Sequence, residues 1–220
     1  MSKKELSASQ AGQVLLGKEI SVNRLGFGAM RLTGEGIWGP PKDRAGALAV
    51  LRRAVELGVQ FIDTADSYGP NVSEELIAEA LFPYPAGVVI ATKGGWKRPG
   101  PNQWTHDATP AHLREAVEGS LKRLRLECID VYQLHIPDPV VSFDLSVETL
   151  ARLREEGKIR TVALSNVTQE HIERARKMPD TGSACLAPVA IANDAANPWN
   201  FINRPSSAEC RCRQRALKRT

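Results

Sequence analysis

The sequence predicts an α/β fold built on a parallel sheet, and three observations predict it. Short β-rich apolar runs alternate with longer stretches of helical period, the runs are continuously apolar, and polar residues gather where the runs end. Continuous apolar runs suit strands covered on both faces, as in parallel sheets. Strict alternation of strand and helix argues for right-handed crossovers. Two architectures answer to this pattern, an open doubly wound sheet and a (β/α)8 barrel of the TIM type.

The elements follow in order. A first strand covers 24–30. Asp43 then serves as N-cap for a helix whose apolar face is Ala47, Val50, Leu51, Ala54 and Val55, with Gly58 as its stop. A second strand, 60–64, leads to a short helix over 73–81, and Val88 to Thr92 forms the third strand. Thr109 and Pro110 are an N-cap and first helical residue, followed by Leu113, Ala116, Val117, Leu121 and Leu124. A fourth strand spans 129–134, a helix 143–156 ends at Gly157, a fifth strand spans 159–164, and a helix covers 168–177. A sixth strand is expected at 189–192.

The 220 residues are 42% hydrophobic and 25% charged, which excludes collagen, rod and wholly disordered classes. No apolar run approaches the roughly 18 residues of a membrane span. The polar start MSKKELSASQ has no signal-peptide core, so a cytoplasmic address is expected. The formal charge is +4, but six basic residues and one acid lie from Arg204 onward, which leaves the body at −1. That distribution argues against nucleic acid as a partner. Cys128, Cys185, Cys210 and Cys212 have neither the number nor the spacing of a disulfide framework or zinc site, so no metal is expected.

Phosphate-binding glycine signatures are missing. Gly26-Phe-Gly28-Ala-Met-Arg31 lacks the third glycine of a dinucleotide fingerprint, and a long loop follows it. The strand ends carry the chemistry instead. The second strand runs into Asp63-Thr-Ala-Asp66-Ser-Tyr68-Gly69, the third into Lys93, the fourth into His135 and the fifth into Ser165-Asn166. In a barrel these positions face the active site.

Together they suit carbonyl reduction. A carbonyl that receives a hydride becomes an alkoxide and needs a proton. Tyr68 is the acid, Lys93 the ammonium that stabilises its phenolate, Asp63 the partner of the lysine, and His135 the group that orients the carbonyl oxygen. Ser165 and Asn166 offer a hydroxyl and an amide, suited to a carboxamide. The loops 31–42 and 94–107 are long, and they carry Trp38, Trp96 and Trp104, which either rim a pocket or cap the fold as packing. His106, His112 and His171 are expected at the surface, and Asp66 is expected to be a loop acid.

FIDTADSYG, VVIATK, DVYQLH and ALSN, in this order and spacing, resemble the aldo-keto reductase superfamily. VNRLGFGAMRLTGEGIWGPP is similar to its bacterial pyridoxal-reductase branch. The resemblance spans about residues 13 to 177, and it implies a (β/α)8 barrel that binds NADPH across its mouth. It places the catalytic set on Asp63, Tyr68, Lys93 and His135. Cofactor contacts fall on Gly28, Ala29, Met30, Asp63, Ser165 and Asn166. The implied substrate is a small carbonyl compound, such as pyridoxal.

Beyond Met178 the chain departs from the family. Only five to six βα units are legible where the fold has eight, so the barrel is expected to be incomplete, with 1–177 as the barrel portion and 178–220 as a divergent basic tail. Ala192 stands where a glutamine is implied. The tail composition resembles read-through in another frame or an alternative C-terminus, not barrel. An unclosed barrel exposes strand edges, so the chain is expected to be marginal, aggregation-prone or dependent on a protein partner that completes the sheet. The alternatives to a reductase are a catalytically silent nucleotide-binding or regulatory module and an inactive fragment.

Overall fold

The computed structural model describes residues 6–17, 20–178 and 190–192. The chain enters through an antiparallel hairpin, β1 (Gln13–Leu16) and β2 (Ile20–Asn23). This hairpin is absent from the sequence-based expectation, because each arm has only four residues. Its inner face, Val14, Leu16, Ile20 and Val22, packs against Phe61, Val89, Ala91, Val131 and Ala163. Phe61 and Val89 open their strands, so the hairpin plugs the N-terminal end of the main sheet.

Five βα units follow: β3 (Leu25–Gly28) with α1 (Arg44–Glu56), β4 (Phe61–Asp63) with α2 (Val72–Leu81), β5 (Val89–Gly94) with α3 (Pro110–Leu124), β8 (Ile129–Leu134) with α4 (Phe143–Glu155), and β9 (Ile159–Leu164) with α5 (Gln169–Lys177). The loop after β5 holds a two-residue hairpin, β6 (Trp96–Lys97) and β7 (Thr105–His106). β3, β4, β5, β8 and β9 are parallel neighbours in chain order. This is the succession of a (β/α)8 barrel, and it excludes the doubly wound alternative, whose strand order reverses.

The expected sixth strand forms as β10 (Ala190–Ala192), but it pairs parallel with Leu25–Phe27 of β3. It therefore lies on the opposite edge of the sheet from β9, not beside it as the sixth position requires. Without β10, β3 is an edge of the described sheet, as β9 is on the other side, and an unpaired edge is a template for any free strand. The rest of the expected tail, with Cys185, Cys210, Cys212 and the basic residues from Arg204, lies outside the described residues.

The helices begin and end where their chemistry directs. Asp43 accepts from Gly46 N at 2.8 Å, and Ala47, Leu51 and Ala54 give α1 its buried face. Thr109 caps α3, with Pro110 in the first turn. Thr168 and His171 form a reciprocal capping box at α5. Outward-facing Ile62 and Ile90 pack with Leu51, Leu76 and Ile77, while Tyr132, Leu134, Val162 and Leu164 pack with Leu113, Val117 and Leu150. Alternation along each strand therefore sends Asp63, Lys93 and Gln133 inward, toward the barrel axis. Among the described residues no helix is long and apolar enough to cross a membrane.

Candidate active site

The site is built where inward-facing polar residues replace the apolar plug. Along β4 Phe61 is followed by Asp63, along β5 Ala91 by Lys93, and along β8 Val131 by Gln133. The lower layer packs against the hairpin, and the upper layer forms hydrogen bonds. Lys93 Nζ donates to Asp63 Oδ2 at 2.6 Å and to Thr64 O at 2.7 Å, and it lies 3.5 Å from Tyr68 Oη. Gln133 Nε2 donates to Asp63 Oδ1 at 2.8 Å. Both carboxylate oxygens are thus occupied, which holds Asp63 against rotation and fixes the ammonium beneath the tyrosine.

Tyr68 is 5% exposed and stands edge-on to His135, with ring centroids 5.7 Å apart. His135 follows β8, where its backbone N donates to Gly94 O at 2.9 Å, and Asn166 Nδ2 donates to His135 O at 3.0 Å. Asn166 takes a left-handed backbone, φ 53°, a conformation that asparagine tolerates better than most residues. Ser67 Oγ lies 3.4 Å from His135 Nδ1.

The electrostatics separate the roles. Burial opposes the charge of Lys93, yet Asp63 and Tyr68 together hold its pKa above the ordinary lysine value. Burial, and then the Lys93 ammonium, push His135 well below the ordinary imidazole value. A neutral imidazole at this position offers one N–H donor and one acceptor. For Tyr68 burial is the larger effect and raises the phenol, while Lys93 pulls it down. The net direction is opposite to the simple expectation of an acidified phenol. In this water-poor site Tyr68 is a fully protonated donor at neutral pH.

The structure brings Asp63, Tyr68, Lys93 and His135 together. Gly28, Ala29 and Met30 lie at the same end of the sheet, with Gly28 in register with Asp63 and Ala29 N donating to Asp63 O at 2.8 Å. Ser165 closes the ring of strand ends after β9. Its hydroxyl is buried and has no hydrogen-bond partner among the described residues. A buried orphan hydroxyl, able to donate and to accept, matches the chemistry of a carboxamide. The donor set around the mouth therefore fits a nicotinamide.

Asp66 lies in the turn after β4, a loop acid as expected, but it is buried. It is 8% exposed, one of its oxygens is buried without a partner among the described residues, and burial, reinforced by Glu74, raises its pKa to about 8. His112 is half-buried at the start of α3, and neither ring nitrogen has a partner among the described residues. His171 belongs to the capping box and stacks on Phe143, while His106 is exposed and stacks on Trp96 at 4.2 Å. Gln133, Ser67 and Arg98 were missed. Gln133 had a signal, a polar residue two positions before His135 in an apolar strand. Ser67 and Arg98 had none, because their roles depend on loops that meet only in three dimensions.

Comparison with known proteins follows the same lines. The aldo/keto reductase family model matches residues 24–194. An uncharacterized oxidoreductase of Schizosaccharomyces pombe is 51% identical, over 90% of this chain and 61% of that protein. Pyridoxine 4-dehydrogenase of Escherichia coli is 42% identical, over 86% of this chain and 64% of that protein. A solved aldo-keto reductase of Klebsiella pneumoniae, in complex with NADPH, superposes with a TM-score of 0.62 at 27% identity, covering 80% of this chain and 56% of that one. The chain thus spans less than two thirds of the length of these relatives.

Proposed function

The chain belongs to the aldo/keto reductase family, and from that premise we propose that it is an NADPH-dependent oxidoreductase that reduces an aldehyde or ketone to the alcohol. The observation that carries the reading is the stack of Asp63, Lys93 and Tyr68, with the phenol 3.5 Å from a buried ammonium and beside His135. Bound NADPH supplies the hydride. The chain supplies everything else. His135 orients the carbonyl oxygen toward Tyr68 Oη. Tyr68 passes its proton to that oxygen as charge develops there, and Lys93 stabilises the phenolate left behind. Asp63, tied by Gln133, keeps Lys93 in place and charged. The carbonyl carbon gains the hydride, its oxygen gains the proton, and the phenol is re-protonated from solvent.

Ser165 and Asn166 would hold the nicotinamide carboxamide, with Gly28, Ala29, Met30 and Asp63 along its path. NADPH as the cofactor draws support from the Klebsiella relative solved with it. Pyridoxal as a substrate draws support from the pyridoxine 4-dehydrogenase relative and from the half-buried Trp38, Trp96 and Trp104 around the mouth. We place the reductase barrel in residues 1–177 and its work in the cytoplasm.

The test is a tryptophan-fluorescence titration of the chain with NADPH, followed by pyridoxal-dependent loss of NADPH absorbance. Saturable quenching with turnover is expected. A flat titration from folded chain would overturn the reading and favour a module without a hydride donor.

A further inference from the structure

Arg98 lies on the small hairpin between β6 and β7, and it is 9% exposed. Among the described residues no carboxylate pairs with it. Burial lowers its pKa without counter-effect. Its guanidinium is spent on main-chain carbonyls of three different segments. Nε donates to Gln103 O at 3.0 Å, within its own hairpin. Nη1 donates to Ile37 O at 3.0 Å and to Ser67 O at 3.1 Å, and Nη2 to Gly36 O at 3.3 Å. The plane lies over Trp104 at 3.7 Å and within 5.4 Å of Trp38. Only a planar fork of five donors can serve such a set, and a lysine ammonium cannot.

The carbonyls it gathers are not relaxed ones. Gly36 and Ile37 have φ of 67° and 57°. For a β-branched residue such as Ile37 this conformation is a true outlier, and it persists only where its surroundings over-determine it. Gly69 N also donates to Ile37 O at 3.3 Å, while Trp38 bridges to Gly69. The third carbonyl belongs to Ser67, whose hydroxyl meets His135 and whose chain neighbour is Tyr68. The loops after β3, β4 and β5 therefore meet on one guanidinium, and the tryptophans of two of them stack on it.

We infer that Arg98 is a positioning residue that fastens these three loops into one aromatic wall beside Tyr68, and so favours flat aromatic carbonyl substrates over small aliphatic ones. The inference rests on the reductase reading of the same mouth. Arg98 touches no reacting atom, and its four acceptors leave it unavailable to an anionic group on the substrate.

The test compares the native chain with Arg98→Lys and Arg98→Ala, using benzaldehyde and propanal. Both variants are expected to raise KM for benzaldehyde about tenfold and to alter propanal reduction less than about threefold, the size of effect that modest misplacement of a binding wall produces. The NADPH quenching midpoint is expected to stay unchanged. Added guanidinium ion should recover part of the loss in Arg98→Ala but none in Arg98→Lys. Acrylamide should quench the tryptophans of both variants more readily than those of the native chain. Unaltered KM and unaltered acrylamide quenching would overturn the assignment, as would equal losses with both aldehydes and NADPH. A native chain that turns over neither these aldehydes nor pyridoxal would overturn the reductase reading instead, and the acrylamide comparison would still decide whether Arg98 holds the wall.

Discussion

Lys93 Nζ stands 2.6 Å from Asp63 Oδ2, with only 6% and 12% of the two side chains open to solvent. The two residues come from adjacent parallel strands, and both face the barrel axis. Among the described residues nothing else charged neutralises the ammonium, because its remaining partners are a carbonyl and a phenol.

Removing the carboxylate charge should therefore destabilise the chain and disable it together. Asp63→Asn leaves a buried ammonium without its counter-charge, which costs about 3–5 kcal/mol when such a pair is broken from one side. A urea melt near neutral pH reads this loss. Lys93 is raised above its ordinary value in the fold. The stability it contributes is thus full below the unfolded lysine value of about 10.4 and is lost as pH climbs through the folded one. In Asp63→Asn that alkaline loss should begin at lower pH. An unchanged melt in the variant would mean that the pair contributes nothing net.

Tyr68→Phe keeps the ring and its edge contact with His135 and removes only the hydroxyl. The rate of carbonyl reduction should fall by about 10²–10⁴-fold, the usual worth of a positioned general acid. NADPH quenching of tryptophan fluorescence should be nearly unaltered. Single-turnover kinetics with pyridoxal check this, and a variant that retains full rate would remove Tyr68 from the mechanism.

Much of this site was legible because its chemistry lies at strand ends, where periodicity breaks in plain view. Asp63, Lys93, His135 and Ser165 each close an apolar run, and parallel order alone brings such ends to one face. The five βα units were legible for the same reason. What was not legible depends on contacts between distant loops. The Val14–Val22 hairpin is too short to show a period, and its function as a plug exists only against Phe61 and Val89. Arg98 looked like any loop arginine until Gly36, Ile37 and Ser67 converged on it. Asp66, three residues from Asp63, reads as a polar loop residue, yet its turn buries it beside Glu74. β10 was placed by similarity after β9, but pairing, which sequence order does not encode, puts it beside β3.

His135 lies well below the ordinary imidazole value because burial and the Lys93 ammonium both oppose its protonation. In the fold it binds fewer protons than in the unfolded chain wherever the unfolded value, about 6.5, is not yet exceeded. Its contribution to stability is therefore complete above about pH 6.5 and is lost as pH falls toward the folded value. His135→Gln should flatten that acid limb of a stability-against-pH curve. It should also lower turnover while leaving NADPH quenching intact. The rate of the native chain should show no step near the ordinary imidazole value, and a one-proton step there would show that the buried ring titrates freely.

Asp66 gives the opposite slope, and the contrast separates the two groups experimentally. Its carboxyl is raised to about 8, by burial first and by the Glu74 charge second. Glu74 itself is fully buried but satisfied, with Arg123 Nε 2.6 Å from one oxygen and Thr92 Oγ1 2.5 Å from the other. The single arginine is thus committed to Glu74, and Asp66 stays protonated at neutral pH. Between about pH 4 and 8 the folded chain holds a proton that the unfolded chain has released, so stability must fall as pH rises, by up to about 1.4 kcal/mol per pH unit. Asp66→Asn mimics the neutral carboxyl and has nothing to release. Its urea midpoint should match that of the native chain near pH 4 and exceed it increasingly up to about pH 8, where the difference stops growing. Parallel curves for the two chains would show that Asp66 is already ionised at neutral pH. In that case a further partner would have to stabilise its charge beside Glu74, and the local field at Tyr68 would be more negative.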